Sequence, residues 1–247
     1  MRLVEISTTT RPVTFLLLLA VSLSSGCASL KEKTWQAAKE PQTWVPLIGA
    51  AIIASTNLDD EIAESAQRDG PVFRDPQGSS NDLRDLLAIS YGASALFGPQ
   101  NDGRNRFKAI AANVGGYAAT NLSVGALKEL SNRRRPDGTS ETSFPSGHAA
   151  NASYLASATW SNLEGLSWPR WGRTALNVSL QGAAAGVAWG RIEAGKHHPS
   201  DVLAGYALGH FFATFVDLSL GEQHDDLRVS AQALPRGIVV KLHLRLP

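Results

Sequence analysis

Apolar residues recur at helical spacing through most of the chain, and the elements follow from that rhythm. Leu83, Leu86, Leu87, Tyr91 and Ala95 fall on one side of a helix over 83–97. Further helices are predicted over 45–55, 107–130, 146–163, 174–189 and 200–220. Several of these are rich in Ala and Gly, and side chains that small let helix axes approach closely. Polar punctuation separates them. Residues 57–84 carry Asp59-Asp60-Glu61, Gly70-Pro71, Asp75-Pro76 and Gly78-Ser79-Ser80, and read as a short helix and then a loop. Trp168-Pro169-Arg170-Trp171 reads as a turn. At the far end Ile238, Val240, Leu242, Leu244 and Leu246 alternate with Val239, Lys241, His243 and Arg245, the period of a strand. Its partner is left open between a second short strand and another molecule. The pattern therefore predicts an all-α fold: a helical bundle of about six core helices with a short C-terminal β-strand.

The first residues follow a different logic. Arg2 and Arg11 precede an apolar run over 12–23, then come Ser24-Ser25-Gly26 and Cys27. This is the layout of a secretory signal peptide, and its apolar run is too short for a typical membrane span. Cys27 is the only cysteine. Directly after small residues, it resembles a bacterial lipobox, although Leu23 stands one position farther away than usual. Lipidation at Cys27 is expected, with the chain in the periplasm or cell envelope, lipid-anchored to a membrane. With one cysteine, no disulfide can form within the chain. The resulting plan is a signal peptide over 1–26, a tether over 27–43, the helical domain over 44–225 and a C-terminal extension with one strand over 226–247.

After that signal no stretch reaches ~18 uninterrupted apolar residues. The best candidates are interrupted by Asn113, Asn121, Gln181, His210 or Asp217. A bundle that does not cross the membrane repeatedly is the expectation. Charge adds one exclusion. Removal of residues 1–26 takes away Arg2, Arg11 and Glu5 and leaves basic and acidic side chains equal in number. A nucleic-acid-binding protein usually carries a basic surplus, so no nucleic-acid partner is expected.

Three segments carry candidate chemistry. In Lys128-Glu129-Leu130-Ser131-Asn132-Arg133-Arg134-Arg135-Pro136, Lys128 and Arg135 share a face if the helix continues to Pro136. Arg133 and Arg134 read as solvated, with a grip on a second phosphate as the alternative, and Asp59, Asp60 and Glu61 read as a solvated helix face, with a metal site as the alternative. In Phe144-Pro145-Ser146-Gly147-His148, Ser146 is a good helix N-cap and Gly147 lets backbone approach a ligand. His148 then lies in the first turn, at the end of a helix that attracts anions. In Arg191-Ile192-Glu193-Ala194-Gly195-Lys196-His197-His198-Pro199-Ser200-Asp201, Pro199 suits a first helical turn. A carboxylate at Asp201 can there accept the Nδ1 proton of His197 and leave Nε2 as a nucleophile. His198 reads as a surface or supporting residue and His210 as a core histidine.

Together these segments supply Lys128, Arg135 and Arg191 as cations, Ser146 and Gly147 as donors, and His148, His197 and Asp201 as an acid–base–nucleophile set. Phosphoryl transfer needs this combination: clamped oxygens, an in-line nucleophile and an acid for the leaving oxygen.

Lys128-x6-Arg135-Pro136, Pro145-Ser146-Gly147-His148 and Arg191-x5-His197-x3-Asp201 resemble the three signature motifs of the type 2 phosphatidic acid phosphatase superfamily, which includes bacterial nonspecific acid phosphatases and vanadium haloperoxidases. The resemblance covers roughly residues 83–220. It departs at Gly190, where the family often has serine. It implies that His197 attacks phosphorus to form a phosphohistidine, that Asp201 orients His197, and that His148 protonates the leaving group and then helps activate water. It further implies that Lys128, Arg135, Ser146, Gly147 and Arg191 hold the phosphate without a metal or cofactor, with vanadate binding as a phosphate mimic. The expected function is a metal-independent phosphatase of lipid or prenyl phosphomonoesters or diphosphates. The alternatives are a vanadate-dependent haloperoxidase and a non-catalytic phosphate-binding envelope protein.

Overall fold

The computed structural model describes residues 29–69, 72–99, 105–221, 227–234 and 237–244. Cys27 and the signal-like segment lie outside them. The described residues form eight helices and a hairpin. The helices are α1 (29–39), α2 (Pro41–Ala54), α3 (Leu58–Arg68), α4 (Pro76–Phe97), α5 (Arg106–Ser131), α6 (Gly147–Leu163), α7 (Arg170–Glu193) and α8 (Pro199–Gly221). The strands β1 (Leu227–Leu234) and β2 (Gly237–Leu244) pair antiparallel, with Leu227 opposite Leu244. The alternating C-terminal stretch thus finds its partner in the segment just before it.

Helix α6 is the axis of the bundle and packs against α4, α5, α7 and α8. Its sequence explains why. Ala149, Ala150, Ala152 and Ala156 are fully buried, so neighbouring backbones come close. The tightest approach is to α8. A Cβ on Gly205 would overlap the Ser146 carbonyl oxygen, and one on Gly209 the Ala150 carbonyl oxygen. On the opposite side Leu87, Leu155, Leu180 and Val187 interdigitate between α4, α6 and α7. Each such side chain contributes roughly 1.5–3 kcal/mol on burial. Tyr154, 1% exposed, crosses to α5 and donates its hydroxyl to the Asn113 carbonyl at 2.8 Å.

Four elements depart from the sequence pattern, each for a local reason. Residues 29–39, placed in the tether, are helical, with Glu32 and Gln36 bonded across one turn at 3.0 Å. Helix α4 starts at Pro76, earlier than the expected 83, because the Asp75 side chain accepts the Gly78 N–H and Pro76 fills the first turn. Helix α5 stops at Ser131, where Asn132 turns left-handed at φ 44°, so Lys128 and Arg135 do not share one helix. Helix α7 runs on through Arg191 to Glu193. There the buried Glu193 carboxylate accepts the N–H groups of Val72 and Phe73 at 2.6 and 3.1 Å and straps that segment to the bundle. The Gly190 departure from the motif also has a cause: a Cβ there would lie 2.8 Å from the Pro76 carbonyl oxygen of α4.

Glycines of α7 and α8 should therefore respond oppositely. Gly209→Val forces α6 and α8 apart and is expected to destabilise by about 3 kcal/mol or more. Gly182→Ala, with nothing within 4 Å of the added Cβ, is expected to stabilise by up to about 1 kcal/mol. Equilibrium unfolding midpoints of the two variants check this.

Candidate active site

All three sequence segments meet at one end of the bundle. Lys128 comes from the last turn of α5, and Arg133 and Arg135 from the turn that follows. Ser146, Gly147 and His148 open α6, Arg191 closes α7, and His197 and Asp201 flank the start of α8.

Ser146 caps α6, its hydroxyl oxygen accepting the Ala149 N–H at 3.4 Å. Its own N–H donates to the Asp201 carbonyl at 2.9 Å, locking the starts of α6 and α8 together. That N–H is thus occupied. The donors left at this helix end are the N–H groups of Gly147 and His148, which a first turn leaves without intrahelical acceptors. A Cβ on Gly147 would make only ordinary contact, 3.5 Å from Val124. The protein itself does not demand glycine there.

His197 is 2% exposed. Its Nδ1 lies 2.7 Å from the Ser143 carbonyl oxygen. A carbonyl only accepts, so Nδ1 carries the proton and Nε2 presents its lone pair. The spacing argument assigned this orienting role to Asp201, but its Oδ2 lies 3.8 Å from Nδ1, too far for a hydrogen bond. The carboxylate acts on His197 through charge instead. Burial lowers the His197 pKa, Asp201 opposes the shift, and Lys128 and Arg191 reinforce it.

Asp201 is fully buried and has other partners. Oδ1 accepts Arg133 Nη1 at 2.7 Å, and Oδ2 accepts the Ser143 hydroxyl at 2.5 Å and the His198 N–H at 2.9 Å. Burial disfavours its charge. The imidazoles of His197 and His198, the Ser143 hydroxyl and Arg133 more than offset this and hold the carboxyl far below the usual range.

Arg133 corrects a sequence expectation. It is not a solvated side chain but the bridge between Asp201 and Asp59, which it meets at 2.5 Å through Nη2. Asp59, expected on a solvated face, is 3% exposed and also accepts the Ser200 N–H at 2.9 Å and the Ser200 hydroxyl at 2.5 Å. Helix α3 is thereby tied to the start of α8. No local sequence signal distinguishes Asp59 from Asp60 and Glu61, since its burial comes from a partner 74 residues away. His198 does have the supporting position expected of it, between Asp60 at 3.2 Å and Asp201 at 3.4 Å. His210 is bonded to Ser157 and Thr214 in the core, and burial pushes its pKa down to about 4.

The cations are arranged differently. Lys128 Nζ donates to the Thr142 carbonyl, and its pKa is lowered by burial and by Arg135. Arg191 is 6% exposed. Its Nε and the Nε of Arg135 are buried donors without a hydrogen-bond partner. Buried N–H groups of this kind are costly to leave unmatched, and an anion is one group that could accept from both guanidinium groups. Two more residues, missed in the sequence, complete the rim. Asn81 and Arg84 of α4 both contact Nε2 of His148. Among the described residues, no group of three or more His, Cys, Asp or Glu side chains is placed to hold a metal ion.

Residues 110–223, which contain every one of the eight motif positions, match the PAP2 superfamily model. These residues belong to the PAP2 superfamily. A lipid A 1-phosphatase of Porphyromonas gingivalis is 32% identical over 165 residues, 67% of this chain. The aligned part is 35% of that protein, so the chain spans about a third of the length of the curated relative it matches. The crystal structure of a transmembrane PAP2 type phosphatidylglycerolphosphate phosphatase from Bacillus subtilis superposes with a TM-score of 0.54 at 23% identity. The match covers 71% of this chain and 92% of the other, and establishes that the PAP2 helical arrangement is shared.

The two neighbouring arginines of the PAP2 site give a contrast. Arg133→Ala strips a buried carboxylate of its counter-ion and is expected to cost about 2–3 kcal/mol of stability, less than a fully buried pair because Arg133 is partly exposed. Arg134→Ala, on an exposed side chain, should change stability by less than about 0.5 kcal/mol. Chemical denaturation of both variants measures the difference.

Proposed function

We propose that the chain is a metal-independent phosphatase that removes phosphate from a lipid or prenyl phosphomonoester or diphosphate at the cell envelope. The observation that carries this reading is the pair of buried, unpartnered Nε donors on Arg135 and Arg191 beside an imidazole whose Nε2 lone pair is exposed by the Ser143 carbonyl. An anion held by those arginines faces a nucleophile already in the correct tautomer.

The reaction runs in two displacements. Nε2 of His197 attacks phosphorus while the bond to the leaving oxygen breaks, and His148 supplies that oxygen with a proton. Water then attacks the phosphohistidine, His148 accepts its proton, and the P–N bond breaks to release inorganic phosphate. Lys128, Arg135, Arg191 and the N–H groups of Gly147 and His148 carry the charge on the equatorial oxygens in both steps. Asp201 balances the positive charge that His197 acquires. In the empty site burial, Arg191 and Arg84 push the His148 pKa down to about 4. A phosphate anion offsets those cations and moves His148 toward the protonated form the first step needs.

A lipid substrate is favoured by two further observations. The curated relative acts on lipid A and the fold neighbour is named for phosphatidylglycerolphosphate. The bundle also presents large apolar side chains outward: Ile48 and Ile52 on α2, Ile89 and Phe97 on α4, Leu122 on α5 and Trp171 on α7. Helix α8 is the one described helix long and apolar enough to cross a membrane by length and composition, but it packs on α6, α2 and α5, and the outward apolar side chains are the stronger observation. These features support membrane association, to which lipidation of Cys27 would add an anchor.

A substrate panel tests the reading: a generic aryl phosphate, phosphatidic acid, phosphatidylglycerol phosphate, a prenyl diphosphate and lipid A. Lipid substrates should be cleaved in the presence of a chelator, with His197→Ala reducing kcat by on the order of 10⁴-fold or more. Activity that survives His197→Ala rules out the phosphohistidine. Palmitate incorporation into wild type but not into Cys27→Ser tests the anchor.

A further inference from the structure

Helix α4 lies outside the three motif segments yet sends two polar side chains to the site. Arg84 Nη1 and Asn81 Oδ1 each lie 3.1 Å from the same atom, Nε2 of His148. With the Asn81 amide oxygen turned toward the ring, their demands on it are incompatible. A guanidinium N–H only donates and needs a lone pair on Nε2, whereas a carbonyl oxygen only accepts and needs an N–H there. One ring nitrogen satisfies one or the other.

The surroundings decide which state holds when the site is empty. Facing His148 are Arg84 from α4, Arg135 from the turn after α5, Arg191 from α7 and His197 from the segment before α8. With burial, these favour the neutral ring, whose lone pair accepts from Arg84. That hold is easily broken. Two other Arg84 N–H groups, on Nε and Nη2, bond Asp85 Oδ1 at 3.2 and 2.8 Å, and Asp85 is 63% exposed, so the pair is weak. Arg84 also adds to the positive field at Arg191, one of the two arginines with an unpartnered Nε.

We propose that Arg84 and Asn81 form a substrate-operated proton switch on His148. A phosphate oxyanion draws Arg84 away from Nε2, the freed lone pair takes a proton from solvent, and Asn81 accepts the resulting N–H. When the ester bond breaks, that proton passes to the leaving oxygen and His148 returns to the neutral form. The acid is thus loaded when an anion is bound and unloaded when the site is empty. This rests on His148 acting as the leaving-group acid and adds the residues that govern its loading.

The test follows the His148 ring by NMR in the full chain, with histidine isotopically labelled, across pH, with and without inorganic phosphate. In wild type, phosphate should raise the proton affinity of His148 at least tenfold. Arg84→Gln should raise the phosphate-free affinity by about tenfold and shrink the phosphate-dependent rise. Arg84→Lys, which keeps the charge, should stay closer to wild type. Asn81→Ala should leave the phosphate-free value unchanged and lower the phosphate-bound one. A phosphate-free titration that is identical in Arg84→Gln and wild type overturns the switch, as does a wild-type ring that ignores phosphate. The His197 resonance serves as the folding control in each variant. Aryl phosphate turnover by His148→Ala is measured separately: retained activity would retire the acid role, whereas the titrations alone decide whether Arg84 and Asn81 control the ring.

Discussion

A single buried carboxylate, that of Asp201, sets the architecture of the site. A charge with no solvent exposure must be surrounded by donors, and those donors come from everywhere the chain can send them. Arg133 arrives from the turn after α5, Ser143 from the loop before α6, and the His198 N–H from the entry to α8. The main chain of the same residue accepts the Ser146 N–H. Satisfying one carboxylate therefore gathers all three motif segments, and the other motif side chains take their places as a result.

Close helix packing makes that gathering rigid. Gly205 and Gly209 let α8 lie directly on the backbone of α6, and the alanines of α6 leave no long side chains between them. The Ser146–Asp201 bond sits at the end of this contact, so any separation of the two helices would be felt first at the site. The composition bias toward Ala and Gly thus bears on the geometry of the site as well as on the core.

Much of this was legible in the sequence. Helical periodicity gave the bundle, because buried faces recur at 3.6 residues whatever they pack against. The three motifs gave the eight residues that meet at one end, and Ser146 was readable as an N-cap from its type and position. What could not be read was set by tertiary contact. Asp59 and Arg133 look like surface charges until each is placed against a residue far along the chain. The Nδ1 partner of His197 is a main-chain carbonyl, which no side-chain pattern can announce, so the carboxylate four residues later seemed the natural partner. Asn81 belongs to a stretch whose Gly and Ser content suggested a loop, where only the Asp75 cap and Pro76 reveal a helix start, and Arg84 stands in the expected helix with no local signal of its tertiary partner.

The tie between α3 and α8 has a consequence for how separable this unit is. Asp59, Asn81 and Arg84 all precede residue 110, where the superfamily match begins. The recognisable segment contains the eight motif residues but not all of the side chains that surround them. Cut out at its alignment boundaries, it would keep Arg133 with half of its acidic partners and His148 with neither of its α4 neighbours. The body that carries the site is larger than the signature that identifies it, and helices α3 and α4 are a structural part of that body.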